Sequence, residues 1–112
     1  MLIYLASPFS YPDPLVRHER YQAACANTAW LMKGGLNIYS PIVHSYPLVA
    51  YGLPSTWDFW KVVDGEMLSR CDMLMVLMLP GWANSTGVRE EIAIADALLI
   101  PVSYFAPIIK KA

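Results

Sequence analysis

The sequence predicts an α/β domain: doubly wound, flavodoxin- or Rossmann-like, with a parallel sheet of four or five strands and helices on both faces. Three observations predict it. Short apolar runs recur along the chain, and each is followed by a stretch of helical period. Glycine and proline pairs, Gly34-Gly35 and Pro80-Gly81, separate the segments. The resulting order, β-α-β-(loop)-α-β-α-β, is that of parallel strands joined by crossover helices.

The elements follow in order. Leu2-Ile-Tyr-Leu-Ala6 is a continuous apolar run, as for a strand buried on both faces. Ser7 to Asp13 is a loop at its C-terminal end. Asp13 suits an N-cap and Pro14 the first helical position. That helix runs to about Lys33, burying Val16, Ala23, Ala26 and Trp30, and Gly34-Gly35 stops it. Leu36 to Ser40 is a second strand. Pro41 to Ser55 reads as a long loop, with Pro41, Pro47, Gly52 and Pro54 punctuating it. Long ordered loops are often functional, although an ordinary packed excursion is the alternative.

A helix then starts at Ser55 or Thr56 and runs to about Arg70. Its buried stripe holds Trp57, Trp60, Met67, Leu68 and Cys71, with Phe59 and Val62 on the opposite side. Asp72 opens a third strand, Met73 to Leu79. A last helix starts near Ser85, and Ile100 to Tyr104 reads as a final strand, placed toward an edge by Pro101.

Composition bounds the function. The 112 residues make one domain, 1–112. Hydrophobic residues reach 56% and charged residues only 15%, which is apolar for a small domain and points to surface buried in a homo-oligomer, dimer or tetramer. No apolar run approaches the roughly 18 residues of a membrane span. No basic region precedes the first apolar run, so no signal peptide is expected and the location is read as cytoplasmic. Cys25 and Cys71, in predicted helices, are read as free buried thiols. A net charge of -1 offers no basic patch for nucleic acid. No metal-ligand spacing occurs and no cofactor motif is present: there is neither a GKS/T element nor GxGxxG. His18 and His44 read as solvated or capping side chains, with His44 also a candidate because of its loop. No serine sits in a G-x-S-x-G elbow.

Two carboxylates break the pattern. At about 100° per residue, Val88, Ile92, Ala95, Leu98 and Leu99 form the buried stripe of the last helix. Glu91 falls inside that stripe, whereas Glu90 lies to one side and Arg89 and Asp96 point away. Asp64 falls inside the stripe of the preceding helix. A carboxylate turned toward a core costs several kcal/mol unless it is paired or faces a cavity. Each is therefore either a satisfied structural group or a site residue. In doubly wound sheets the ligand crevice lies beyond the C-terminal strand ends. Ser7 to Phe9, Ser40 to His44 and Gly81 to Gly87 follow such ends, and Asp64 reaches the crevice from mid-helix. Asn84 and Ser85 suit an N-cap, and a helix start offers free N–H groups to an anion. Two acids on one crevice suit displacement at an anomeric carbon.

Ile3 to Phe9, Asp64 ahead of Asp72, and Ser85-Thr-Gly-Val-Arg-Glu-Glu91 resemble the nucleoside 2-deoxyribosyltransferase superfamily. That superfamily includes 2'-deoxynucleoside 5'-phosphate N-hydrolases and short, functionally unassigned bacterial and phage proteins, to which this chain is most similar. The resemblance implies Glu91 as nucleophile on C1', Asp64 as the group handling the base or its proton, and Tyr4 as the residue steadying the nucleophile. It implies Ser85 as a phosphate ligand, where transferases acting on nucleosides carry an acid. Ser7, Pro8, Phe9, His44, Trp82, Asn84 and Gly87 complete the candidate binding set. Trp82 either stacks on a base or packs. A polar residue of a neighbouring subunit completes the family's site; here either the loop around His44 and Tyr46 replaces it or the site is incomplete. The expected partner is a small nucleotide or nucleoside. The implied activity is an N-glycosidase acting on a (deoxy)nucleoside 5'-monophosphate through a glycosyl-Glu91 intermediate. The alternatives are a nucleoside 2-deoxyribosyltransferase and a non-catalytic binding module on the same fold.

Overall fold

A computed structural model describes residues 1–108. Four parallel strands form one sheet: β1 (Leu2–Ala6), β2 (Asn37–Tyr39), β3 (Met73–Leu77) and β4 (Val102–Phe105), in the order β2-β1-β3-β4. Four α-helices accompany it: α1 (Pro14–Lys33), α2 (Pro41–Val49), α3 (Trp57–Ser69) and α4 (Thr86–Ala97). A 3-10 turn, Trp82–Asn84, precedes α4.

Alternation along the strands sorts the core into two layers. Tyr4 and Ala6 of β1 and Leu74 and Val76 of β3 face Leu68 of α3 and Val88 and Ala95 of α4. Leu5 and Leu77 face the other way, toward Ala23 and Leu31 of α1. Helices thus cover both faces, and the central strands β1 and β3 are apolar on both sides because both sides are buried, whereas the edge strands β2 and β4 are only partly buried. β1 starts in register because Asp72 holds it from two directions: its Oδ2 accepts from the Leu2 N–H at 2.7 Å and its own N–H donates to the Leu2 carbonyl at 2.8 Å.

The chain passes from β2 over β1 to β3, so the winding reverses between β1 and β3. The crevice of an open α/β sheet forms at such a reversal, outside the C-terminal strand ends. Three segments emerge there: the loop after β1, α2 after β2, and the turn into α4 after β3.

Four expectations are corrected. The segment from Pro41 to Ser55 is not all loop, because its first nine residues form α2. Ser40 caps that helix by accepting from the Val43 N–H at 3.2 Å, and Pro41 takes the first helical position. Pro47 lies inside it and conceals it in the sequence, since an internal proline removes an N–H donor and normally ends a helix. Leu98 and Leu99 are not buried: α4 stops at Ala97, and Leu99 turns into left-handed backbone at φ 59° with its side chain 90% exposed. On α1 the buried residues are Ala23, Ala24, Asn27, Thr28 and Leu31. Val16 is half-buried, and Trp30 is exposed and stacks on Phe105. Both cysteines are free, but Cys25 is only half-buried, and Cys71 sits in the turn after α3 rather than within it. Phe59 and Val62 are exposed on α3. No helix of the described residues is long and apolar enough to cross a membrane.

Candidate active site

Tyr4 is at the centre of the sheet and fully buried. Its side chain projects to the α3/α4 face, where its hydroxyl donates to Glu91 Oε2. Glu91 lies on the inward stripe of α4 between Val88 and Ala95, and is itself buried. Asp64 occupies the equivalent position on α3 between Trp60 and Leu68. It is also buried, and its Oδ1 has no hydrogen-bond partner. Both acids open on one cleft of about 200 Å³ at the C-terminal edge of the sheet.

The floor of this cleft is polar. Ser7, whose buried Oγ is also unpartnered, lines it together with the two carboxyls, and Ser45 of α2 and Ser55 add hydroxyls. One wall is apolar, from Phe9, Ile42, Tyr46 and Val49, and Trp57 and Trp60 of α3 line the cleft as well. The rings of Phe9 and Tyr46 meet edge to face at 5.2 Å between centroids, and Tyr46 stacks on Tyr21 at 4.5 Å. The remaining side is the start of α4: Asn84, Ser85, Thr86 and Gly87. Ser85 caps that helix by accepting from the Val88 N–H at 3.3 Å. A hydroxyl that accepts in this way keeps its own proton to donate outward, beside helix amides without intrahelical partners.

Burial governs the electrostatics. Desolvation pushes the Glu91 carboxyl up to about 8, with the nearby Asp64 charge adding to the rise and the Tyr4 hydrogen bond opposing it. Desolvation likewise pushes Asp64 up to about 7. Burial, then the Glu91 and Asp64 charges, hold the Tyr4 phenol well above its ordinary value, so Tyr4 stays a donor. Tyr39, whose ring lies 5.7 Å from that of Tyr4, is pushed up to about 12, first by burial and then by Asp64. Near neutral pH the two carboxyls therefore hold on to protons that surface acids would have released.

Of the residues singled out in the sequence, Glu91, Asp64, Ser7, Phe9, Asn84, Ser85 and Gly87 line the cleft. Tyr4 stands behind it, on Glu91. Pro8, within the β1–α1 loop, is buried and does not line the cleft. His44 is exposed on α2, its ring 6.0 Å from that of Tyr39, and does not line the cleft. Trp82 packs against Tyr104 at 5.6 Å and against the α3/α4 core layer. Ser45 was not anticipated, because it belongs to the helix that Pro47 concealed. The Ser40-Pro41 cap pair and the helical spacing of Ile42, Ser45, Tyr46 and Val49 were the available signals.

These features define a class: an α/β protein of the nucleoside 2-deoxyribosyltransferase superfamily. A 2-deoxyribosyltransferase from Bacillus psychrosaccharolyticus is 26% identical, over 96% of this chain and 73% of that one, with a TM-score of 0.65. That enzyme is described as a biocatalyst for the synthesis of antiviral and antitumoral nucleosides. Within the class, the chain belongs to a domain family of unknown function, DUF1937, whose model matches residues 1–107. No curated protein matches the sequence.

Proposed function

We propose that the protein is an N-glycosidase that cleaves the base–sugar bond of a (deoxy)nucleoside 5'-monophosphate. The observation that carries this reading is the meeting of Glu91 and Asp64 in one cleft beside the Ser85-capped start of α4. A Glu91 oxygen attacks C1', and the bond from C1' to the base nitrogen breaks with its electron pair leaving on the base. Asp64 gives its proton to that nitrogen. Asp64, now ionised, takes a proton from water as that water attacks C1', and the C1'–Glu91 ester bond breaks with its electron pair returning to the Glu91 carboxylate, so both acids regain their starting states. Ser85 and the α4 amides hold the 5'-phosphate, where an acid would repel it. Phe9 and Tyr46 offer the base an aromatic wall.

The competent state has Glu91 ionised and Asp64 protonated. Burial holds the proton more tightly on Glu91, at about 8, than on Asp64, at about 7, so this is the minor arrangement of the pair, and the Tyr4 hydrogen bond, which favours charge on Glu91, raises its share. The two acids titrate as a pair, so activity follows a bell-shaped pH profile centred between about 7 and 8. Glu91, Asp64 and Tyr4 are the catalytic residues of this reading, and the exposed Phe59 and Val62 support a homo-oligomer.

The test is release of free base from a panel of nucleosides and nucleoside monophosphates, measured beside ligand-induced thermal shift. Glu91→Ala abolishes release and Glu90→Ala does not; equal effects from both remove Glu91 from the role. A second reading, transfer of the sugar to another base, is favoured by the likeness to a 2-deoxyribosyltransferase. A new nucleoside formed when a second base is added selects it. Thermal shift without base release selects a non-catalytic binding module.

A further inference from the structure

Arg20 lies on α1, half-buried, and reaches over the C-terminal edge of the sheet. Its Nη1 donates to the Ser10 carbonyl at 3.0 Å and its Nη2 to the Pro80 carbonyl at 3.2 Å. Its guanidinium carbon stands 5.1 Å from the centre of the Tyr11 ring. Ser10 belongs to the loop after β1 and Pro80 to the loop after β3, so one side chain spans the point where the winding reverses. The ion pairs among the described residues are Lys61–Asp58 and Arg70–Glu66, and neither involves Arg20. Its partners are two carbonyl dipoles and a ring face. Burial without a carboxylate lowers its pKa, so the placement carries a desolvation cost that a surface arginine escapes. Gly81 reinforces the point. It holds φ +90°, and a Cβ there would stand 2.7 Å from Arg20 Nη2.

We propose that Arg20 is a positioning residue, whose planar fork ties the Ser10 loop to the turn that leads into Asn84 and Ser85. It thereby sets the width of the cleft at the end that takes the 5'-phosphate. This rests on reading the cleft as a nucleotide N-glycosidase site. The two ends of the site are held differently. Glu91 is fixed by Tyr4 and by the core around Val88. The Ser85 end is the first turn of α4, and Arg20 ties the loop that leads into it, at Pro80, to the Ser10 loop on the other side of the cleft. Loosening the fork weakens phosphate binding and leaves the chemical step alone. Lysine is no substitute, because one ammonium on a flexible stem does not reproduce the guanidinium fork that engages both carbonyls.

The experiment compares Arg20→Met, Arg20→Lys and Arg20→Gln with the unaltered chain. It measures kcat and KM for a nucleoside 5'-monophosphate and for its parent nucleoside, and amide hydrogen exchange over residues 80–87 without ligand. In Arg20→Met the KM for the monophosphate rises about tenfold, kcat stays within about twofold, and KM for the nucleoside moves by less than about threefold. Exchange over 80–87 quickens, and Arg20→Lys falls between the two. The proposal is overturned if Arg20→Met changes neither KM nor exchange, or if kcat falls equally on both substrates. It is also overturned if Arg20→Lys behaves as the unaltered chain while Arg20→Met does not, since that pattern belongs to charge alone. Should Arg20→Met fail to fold, Arg20→Gln, whose shorter amide cannot reach both carbonyls, is read by the same criteria. If the unaltered chain releases no base, the N-glycosidase reading fails, and the exchange measurement still decides the clamp.

Discussion

Replacing Glu91 by Gln removes the larger part of the pH dependence that burial gives this fold. Glu91 moves from 4.5 to about 8 on folding. A carboxyl raised in this way favours the folded chain while it is protonated. Its contribution is complete below about 4.5, and it drains away as pH rises toward about 8, because the unfolded chain gives up the proton first. At about 1.4 kcal/mol per pH unit, Glu91 alone removes about 3–4 kcal/mol of stability between pH 5 and pH 8. That is a large part of the ~5–15 kcal/mol that holds a domain of this size together. Gln has nearly the same shape, keeps an oxygen for the Tyr4 hydroxyl, and never ionises. Glu91→Gln is therefore close to the unaltered chain at pH 5 and more stable by about 3 kcal/mol at pH 8. Urea unfolding followed by tryptophan fluorescence, at intervals from pH 5 to pH 8, reads the difference directly. Two stability curves that run parallel over that range refute the reasoning, because a side chain that opens to water does not carry such a penalty.

Asp64→Asn acts in the same direction but through the lower window, 3.8 to about 7, so its gain in stability is complete near neutral pH. The same variant has no proton to give the leaving base, and kcat falls by about 100-fold or more; an active variant removes Asp64 from the acid role. Leu99→Gly relieves left-handed backbone at an exposed position and raises stability by roughly 1 kcal/mol, read as an upward shift in Tm. Leu68→Ala empties a fully buried site between the sheet and α4 and costs about 2–5 kcal/mol by urea unfolding. Ser85→Ala removes the α4 cap, costing about 1 kcal/mol, and also weakens binding of a monophosphate more than of its nucleoside by thermal shift.

The amino-acid sequence alone determined the order of the four strands and of α1, α3 and α4, and the inward position of both acids. Period-2 and period-3.6 patterns are local, so the apolar runs at Leu2–Ala6 and Met73–Leu79, of which Met73–Leu77 is strand, and the stripes carrying Asp64 and Glu91 could be read residue by residue. The caps at Asp13 and Ser85 depend on neighbours a few residues away. What the chain order leaves open is which distant residues meet. The Tyr4 hydroxyl finds Glu91 across 87 positions only because β1 takes the middle of the sheet and α4 packs on its even-numbered face. The aromatic wall required α2, which an internal proline had disguised as loop. Packing overrode propensity there, since a helix docked on α1 and β1 can keep a proline that an isolated one would not. The pairing of Ser10 with Pro80 through Arg20 likewise arises from two loops brought together by strand order. Local pattern specifies which way a side chain faces; only the closed sheet decides what it faces.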